Sequence, residues 1–139
     1  MGSVDFQVWD RKGSLLREIK ADFRGCYWCK YFGGRFAAEG GGKICVWDAS
    51  TGEIAGELEN AGSHIRDMNG DYALITRRVN NHTEVRLLSL HDMLSSSSEA
   101  NVTPLITIHG SVSEFWEELQ LGRNYFAWRN SMNVQVVDF

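Results

Sequence analysis

Apolar residues in this chain come in short runs closed off by glycine and other turn residues. Phe36-Ala37-Ala38 follows Gly34-Arg35, and Tyr72-Ala73-Leu74-Ile75 follows Gly70-Asp71. Tyr125-Phe126-Ala127-Trp128 follows Gly122-Arg123-Asn124. Ile44-Cys45-Val46-Trp47 follows Gly40-Gly41-Gly42-Lys43. Runs this short are strand-sized, and their unbroken apolar character predicts strands buried on both faces. One segment has helical spacing, Ser113 to Gln120, with Ser113 as its candidate N-cap, so a short helix, or a helical turn leading into the next strand, is expected there.

The runs belong to a repeat, the feature to seek before single motifs. Val8-Trp9-Asp10 recurs as Val46-Trp47-Asp48, and Leu15, Glu18 and Ile19 recur as Ile54, Glu57 and Leu58. Between the paired segments lie the turns Arg11-Lys12-Gly13-Ser14 and Ala49-Ser50-Thr51-Gly52. Weaker copies follow at Val85-Arg86-Leu87-Leu88-Ser89 and Val134-Gln135-Val136-Val137-Asp138. The last spacing is longer because of a polar insertion, Asp92 to Thr103, whose serines Ser95–Ser98 beside Glu99 read as a solvated, flexible loop and a phosphorylation candidate.

A period of about 40 residues built from short strands selects a β-propeller among all-β architectures. The stretch Cys26–Leu58 resembles one WD40 repeat: strand a near Cys26–Phe32, b near Phe36–Glu39, c at Ile44–Asp48 and d at Ile54–Leu58. Trp9, Asp10, Trp47 and Asp48 are its structural repeat residues. Two departures stand out. Gly40-Gly41-Gly42 occupies the b–c turn where the family has an aspartate, and the family's Gly-His pair is present only as Ser63-His64. The hydrogen-bonded network that ties such blades together is therefore expected to be mostly absent.

The expected organisation is a tag remnant at 1–3, a c–d pair at 4–19, blades at 26–58 and 63–108, and a partial blade at 112–139. That amounts to about thirteen strands, fewer than a closed ring of blades needs. The fold expected is all-β: propeller blades of four antiparallel strands, forming part of a larger propeller or self-associating to close. The resemblance implies a non-catalytic protein-interaction scaffold. It leaves open a half-propeller whose main partner is itself, or a substrate-receptor propeller of a ubiquitin ligase.

Composition removes several function classes. A net charge of −4 gives no overall attraction to nucleic acid or anionic lipid. No run of about 18 apolar residues exists to cross a membrane. Cys26, Cys29 and Cys45 are too few for a disulfide framework, which fits a reducing cytoplasmic or nuclear compartment. The sequons at Asn81 and Asn101 read as chance matches.

The candidate chemistry is thin. Cys26-Tyr27-Trp28-Cys29 has C-x-x-C spacing, but no second ligand pair accompanies it. Residues three apart on a strand face opposite ways, so buried, inert thiols are expected. His64, His82, His91 and His109 lie in no nucleophile motif. Gly40-Gly41-Gly42-Lys43 leads into a strand and reads as a hairpin turn, not a phosphate loop. No paired carboxylates, metal site or cofactor site is expected, and no enzyme.

One asymmetry remains. In a propeller the d–a and b–c loops share a rim, and here that rim collects Lys20, Arg24, Lys43, Arg77, Arg78 and Arg129 against chiefly Asp22 and Glu84. Guanidinium groups bind carboxylate and phosphate bidentately. The expected partner is therefore a protein or an acidic or phosphorylated peptide at Arg24, Lys43, Arg77, Arg78 and Arg129. Tyr27, Trp28 and Trp128 are anchor candidates, with core packing the simpler expectation for each.

Overall fold

The computed structural model describes residues 4–21, 25–111, 119–129 and 133–139. Among them are thirteen strands in four antiparallel sheets that follow one another along the chain. The first sheet is the pair β1 (Val4–Trp9) and β2 (Leu15–Ala21). The second is β3 (Trp28–Phe32), β4 (Arg35–Gly40), β5 (Lys43–Asp48) and β6 (Ile54–Glu59), in that order. The third is β7 (His64–Met68), β8 (Tyr72–Val79), β9 (His82–Ser89) and β10 (Ile106–Ser111). The fourth is β11 (Gln120–Leu121), β12 (Tyr125–Arg129) and β13 (Val134–Asp138). Every strand pairs with its sequence neighbour, and no described sheet closes on itself. The expected helix at Ser113 lies outside the described residues up to position 118; beyond it, Gln120 is in a strand.

Three apolar cores fill the spaces between the sheets. β5 shows why its run is unbroken. Cys45 and Trp47 point to a core shared with Phe6, Val8 and Ile19, whereas Ile44 and Val46 point to one shared with Ile65, Ala73 and Ile75. Side chains alternate across a strand, so a strand between two cores needs apolar residues at every position. β8 repeats the pattern, with Ala73 and Ile75 on one side and Leu74 on the other. Trp47 stacks on Phe36 at a centroid distance of 4.8 Å, with Phe6 5.2 Å from Trp47.

The repeated Trp-Asp pairs have a local cause. The strand register slips between Val8 and Trp9 and again between Val46 and Trp47, which places a bulge at the same point of each repeat. The next residue then holds the turn. Asp10 Oδ1 accepts the amides of Lys12 and Ser14, each at 2.9 Å. Asp48 Oδ1 accepts those of Ser50 and Thr51, at 2.8 and 3.3 Å. Gly13 and Gly52 close these turns at φ 85° and 77°, the region where only glycine is unstrained. The b–c turn of the second sheet is the two-residue loop Gly41-Gly42 between the paired Gly40 and Lys43, both at positive φ as a tight hairpin requires.

The polar insertion is not the solvated loop its composition suggests. After β9 the chain forms α1 (Leu90–Leu94), capped by the Ser89 side chain, and then a 3₁₀ turn at Glu99–Asn101. Met93, Glu99 and Val102 are buried. Arg86 of β9 reaches out to the Glu99 carboxylate and to Val102 O, 2.9 Å away, while Ser63 Oγ donates to Glu99 Oε2 at 2.9 Å. Burial, and next the charge of neighbouring Arg77, pull the Arg86 guanidinium below its ordinary value. The Glu59 amide donates to Ser97 O at 2.9 Å, and Glu59 bridges to Ser98. The insertion thus runs along the outer strand of the preceding sheet and covers an edge that would otherwise lie open.

Candidate functional site

The innermost strands of successive sheets are tied to one another by polar side chains. Lys30 of β3 contacts Asp67 Oδ1 of β7 at 2.5 Å. Asp67 Oδ2 in turn accepts the amide of Leu121 in β11 at 2.7 Å, and Asn69 donates to Gly122 O at 3.0 Å. The inner edges of three sheets therefore converge around one aspartate.

At the end where β3 and β7 begin, a cavity of about 430 Å³ opens, lined by Tyr27, Trp28, Glu39, His64, Arg66 and Leu119. Glu39 is its organising residue. Its carboxylate is buried and takes three donors: Asn60 Nδ2, His64 Nδ1 and the Ile65 amide, each at 3.1 Å. Three donors are what a buried carboxylate needs in order to remain there. The expectation of a missing blade network is thus corrected. Glu39, on the strand just before the Gly40-Gly41-Gly42 turn, is the acceptor that ties the sheet to the next one. There it holds the d–a loop and the Ser63-His64 pair, while Ser63 engages Glu99.

Two further expectations are corrected here. Tyr27 is 78% exposed and packs into no core. Cys26 and Cys29 are exposed, and only Cys45 is buried. Strand alternation does not govern the pair, because β3 begins at Trp28 and Cys26 lies before it. Partial burial, then the neighbouring Cys29 thiol, push Cys26 upward. Burial pushes Cys45 up to about 12, with Glu57 adding to the effect. Trp28 is half-buried against a core and Trp128 is buried in another, as the packing expectation had it.

The basic residues of the expected rim flank the second turn of successive sheets. Lys43 follows Gly41-Gly42, Arg77 and Arg78 precede Asn80-Asn81, and Arg129 ends β12. Lys43 and Arg77 carry carboxylate partners. Lys43 Nζ lies 3.0 Å from Glu57, and Arg77 Nε lies 3.2 Å from Glu84, whose other oxygen is 4.0 Å from His109. Arg78 is exposed. Arg24 lies outside the described residues. Arg66, which the sequence did not single out, donates through Nε to Thr76 Oγ1 at 2.8 Å and borders the cavity from the same end.

Sequence comparisons place the chain in no family: no family model matches it, and no curated protein does. Fold comparison is informative. The crystal structure of Hsv2 from Kluyvelomyces marxianus, a β-propeller protein, superposes on 97% of this chain with a TM-score of 0.61 at 7% sequence identity. Only 42% of the Hsv2 chain is covered, so this chain spans less than half of that protein's length. The fold is therefore propeller-like, with sheets corresponding to blades. No described helix is long and apolar enough to cross a membrane.

Proposed function

We propose that this chain is a non-catalytic protein-interaction module whose docking surface is the rim formed by the d–a and b–c loops. The observation that carries the reading is the mouth of the array. Exposed Tyr27, half-buried Trp28, exposed His64 and exposed Arg66 surround one cavity, and Arg78 stands on the same rim. Exposed aromatics beside arginines are the residue types that dominate protein-recognition surfaces. The expected ligand is an acidic or phosphorylated peptide that uses Arg66 and Arg78. The Lys43–Glu57 pair is partly exposed, and such a pair is weak enough to exchange partners; Arg77 is held by the buried Glu84.

The test is a phosphopeptide library screened against its unphosphorylated counterpart, using the wild type and the Arg66→Glu/Arg78→Glu and Tyr27→Ala variants. Phosphate-dependent binding lost in both variants supports the reading. Binding unchanged in both removes the rim from consideration.

A second reading rests on the flanks. β1 pairs only with β2 and β13 only with β12, so each leaves one strand edge unpaired among the described residues. A polypeptide adding strands there would use main-chain hydrogen bonds for affinity and apolar side chains for register.

A further inference from the structure

Resting on the rim reading above, we propose that the cavity at the rim is a subsite for an aryl phosphate, the side chain of a phosphotyrosine within the docked peptide. The strand register brings its two nitrogen-bearing side chains to one place. His64 and Thr76 are partners across β7 and β8, so their side chains share a face of the sheet. The register then slips between Ile65 and Asp67, which leaves Arg66 as the extra residue of a bulge. Arg66 Nε donates to Thr76 Oγ1 at 2.8 Å, so its guanidinium returns to the position opposite His64. Both residues border the same cavity. Each is anchored from below by a buried acceptor: Thr76 for Arg66, and the Glu39 carboxylate, 3.1 Å from Nδ1, for His64. Arg66 Nη1 and Nη2 and His64 Nε2 are left for a ligand.

The lining selects the ligand. Among the described residues no carboxylate pairs with Arg66, in contrast to Lys43, Arg77 and Arg86. Its two remaining nitrogens match two oxygens of a phosphoryl group, and His64 in its imidazolium form adds a further donor. Glu39 is the acid of the lining. It already accepts three donors, and its charge sets an anion toward Arg66 rather than against the carboxylate. Tyr27 and Trp28 border the same space. At about 430 Å³ the cavity has room for a ring as well as for the phosphoryl group. A serine phosphate would reach the arginine without using the aromatic walls, whereas a tyrosine phosphate carries a ring that packs against them.

The experiment is a calorimetric titration of the full chain with one acidic peptide that carries tyrosine, phosphotyrosine or phosphoserine at the same position. The phosphotyrosine peptide should bind about 10-fold tighter than the phosphoserine peptide. Phenyl phosphate should displace it at a lower concentration than inorganic phosphate does. Arg66→Gln should weaken phosphotyrosine binding by about 10-fold or more. Tyr27→Ala should shrink the preference for phosphotyrosine over phosphoserine. Both side chains are exposed, so circular dichroism of each variant should match the wild type. Arg78→Gln, which lies outside the cavity lining, should lower affinity for both phosphopeptides in the same proportion. Equal binding of the two phosphopeptides, or inorganic phosphate competing as well as phenyl phosphate, overturns the aryl subsite and leaves the rim reading standing. Unchanged phosphotyrosine binding in Arg66→Gln overturns the assignment of the residue. Absence of any phosphate-dependent binding to the wild type overturns both readings.

Discussion

At the scale of single residues, the positions that carry most information are polar groups in apolar places. Glu39 stands inside a buried strand and satisfies three donors from the following loop and strand. Glu39→Ala should destabilise the protein by about 2–4 kcal/mol, because it removes the acceptor from a buried amide and from two side chains. Glu39→Gln should cost less, since one oxygen remains. Urea unfolding of the three proteins checks the order. Cys45 gives a pH dependence of known sign. Its folded value, about 12, lies above the ordinary 9.0, so its contribution to stability is complete below 9.0 and fades as pH rises toward 12. Comparing unfolding midpoints of wild type and Cys45→Ala across that interval should show a steeper loss in the wild type. Residue roles were legible where local geometry dictates them. Asp10 and Asp48 recur because each accepts turn amides, and Trp47 is buried because the first sheet covers the face it points to. Trp9 holds the same place in its repeat and is 53% exposed. Sequence cannot show that difference, because it arises from the packing of the sheets: among the described residues none covers the corresponding face of the first sheet. Glu39 was also hidden, although a charge within Phe36–Gly40 was the signal that could have revealed it.

At the scale of elements, the strands were readable because a core on each face forces short, unbroken apolar runs, and the turns because glycines and aspartates mark them. The insertion after β9 was not. Its serines and charges resemble a solvated loop, yet it docks through a buried ion pair that joins residues 13 apart. Composition reports average polarity, and a single buried Arg86–Glu99 contact outweighs it. Glu99→Ala should therefore cost about 3–5 kcal/mol by leaving Arg86 buried without its partner. The paired change Arg86→Met/Glu99→Leu should cost much less, because no charge is then stranded. Native-state hydrogen exchange adds a positional check. In Glu99→Ala the Glu59 amide, bonded to Ser97 O, should exchange faster, while amides in the middle of β8 should change only as far as global stability does. Equal acceleration at both places would mean that the insertion does not open separately from the sheets.

At the scale of the whole molecule, the four sheets form an open array, and the question is what meets its flanks. β1 and β13 carry corresponding segments of the repeat, Val8-Trp9-Asp10 and Val136-Val137-Asp138, so each is the third strand of its repeat. Merging the two-stranded and three-stranded sheets of two copies would set two third strands side by side and give five strands where a blade has four. Two copies joined at these edges without rearrangement would therefore not make a ring of regular four-stranded blades. Contacts between copies through open edges need not stop at two. The apolar surface to drive them is present: Val134 and Val136 are 70% and 61% exposed on β13, and Leu16 is exposed beside β1. Light scattering over a concentration series should show a mean mass that climbs without a plateau at the dimer. Val134→Lys/Val136→Lys should lower that climb and alter folding stability by no more than about 0.5 kcal/mol per site, since both side chains already face solvent. A plateau at twice the chain mass, unaffected by the lysines, would mean instead that the copies rearrange their edge strands to complete a ring, and the chain's main partner would then be itself.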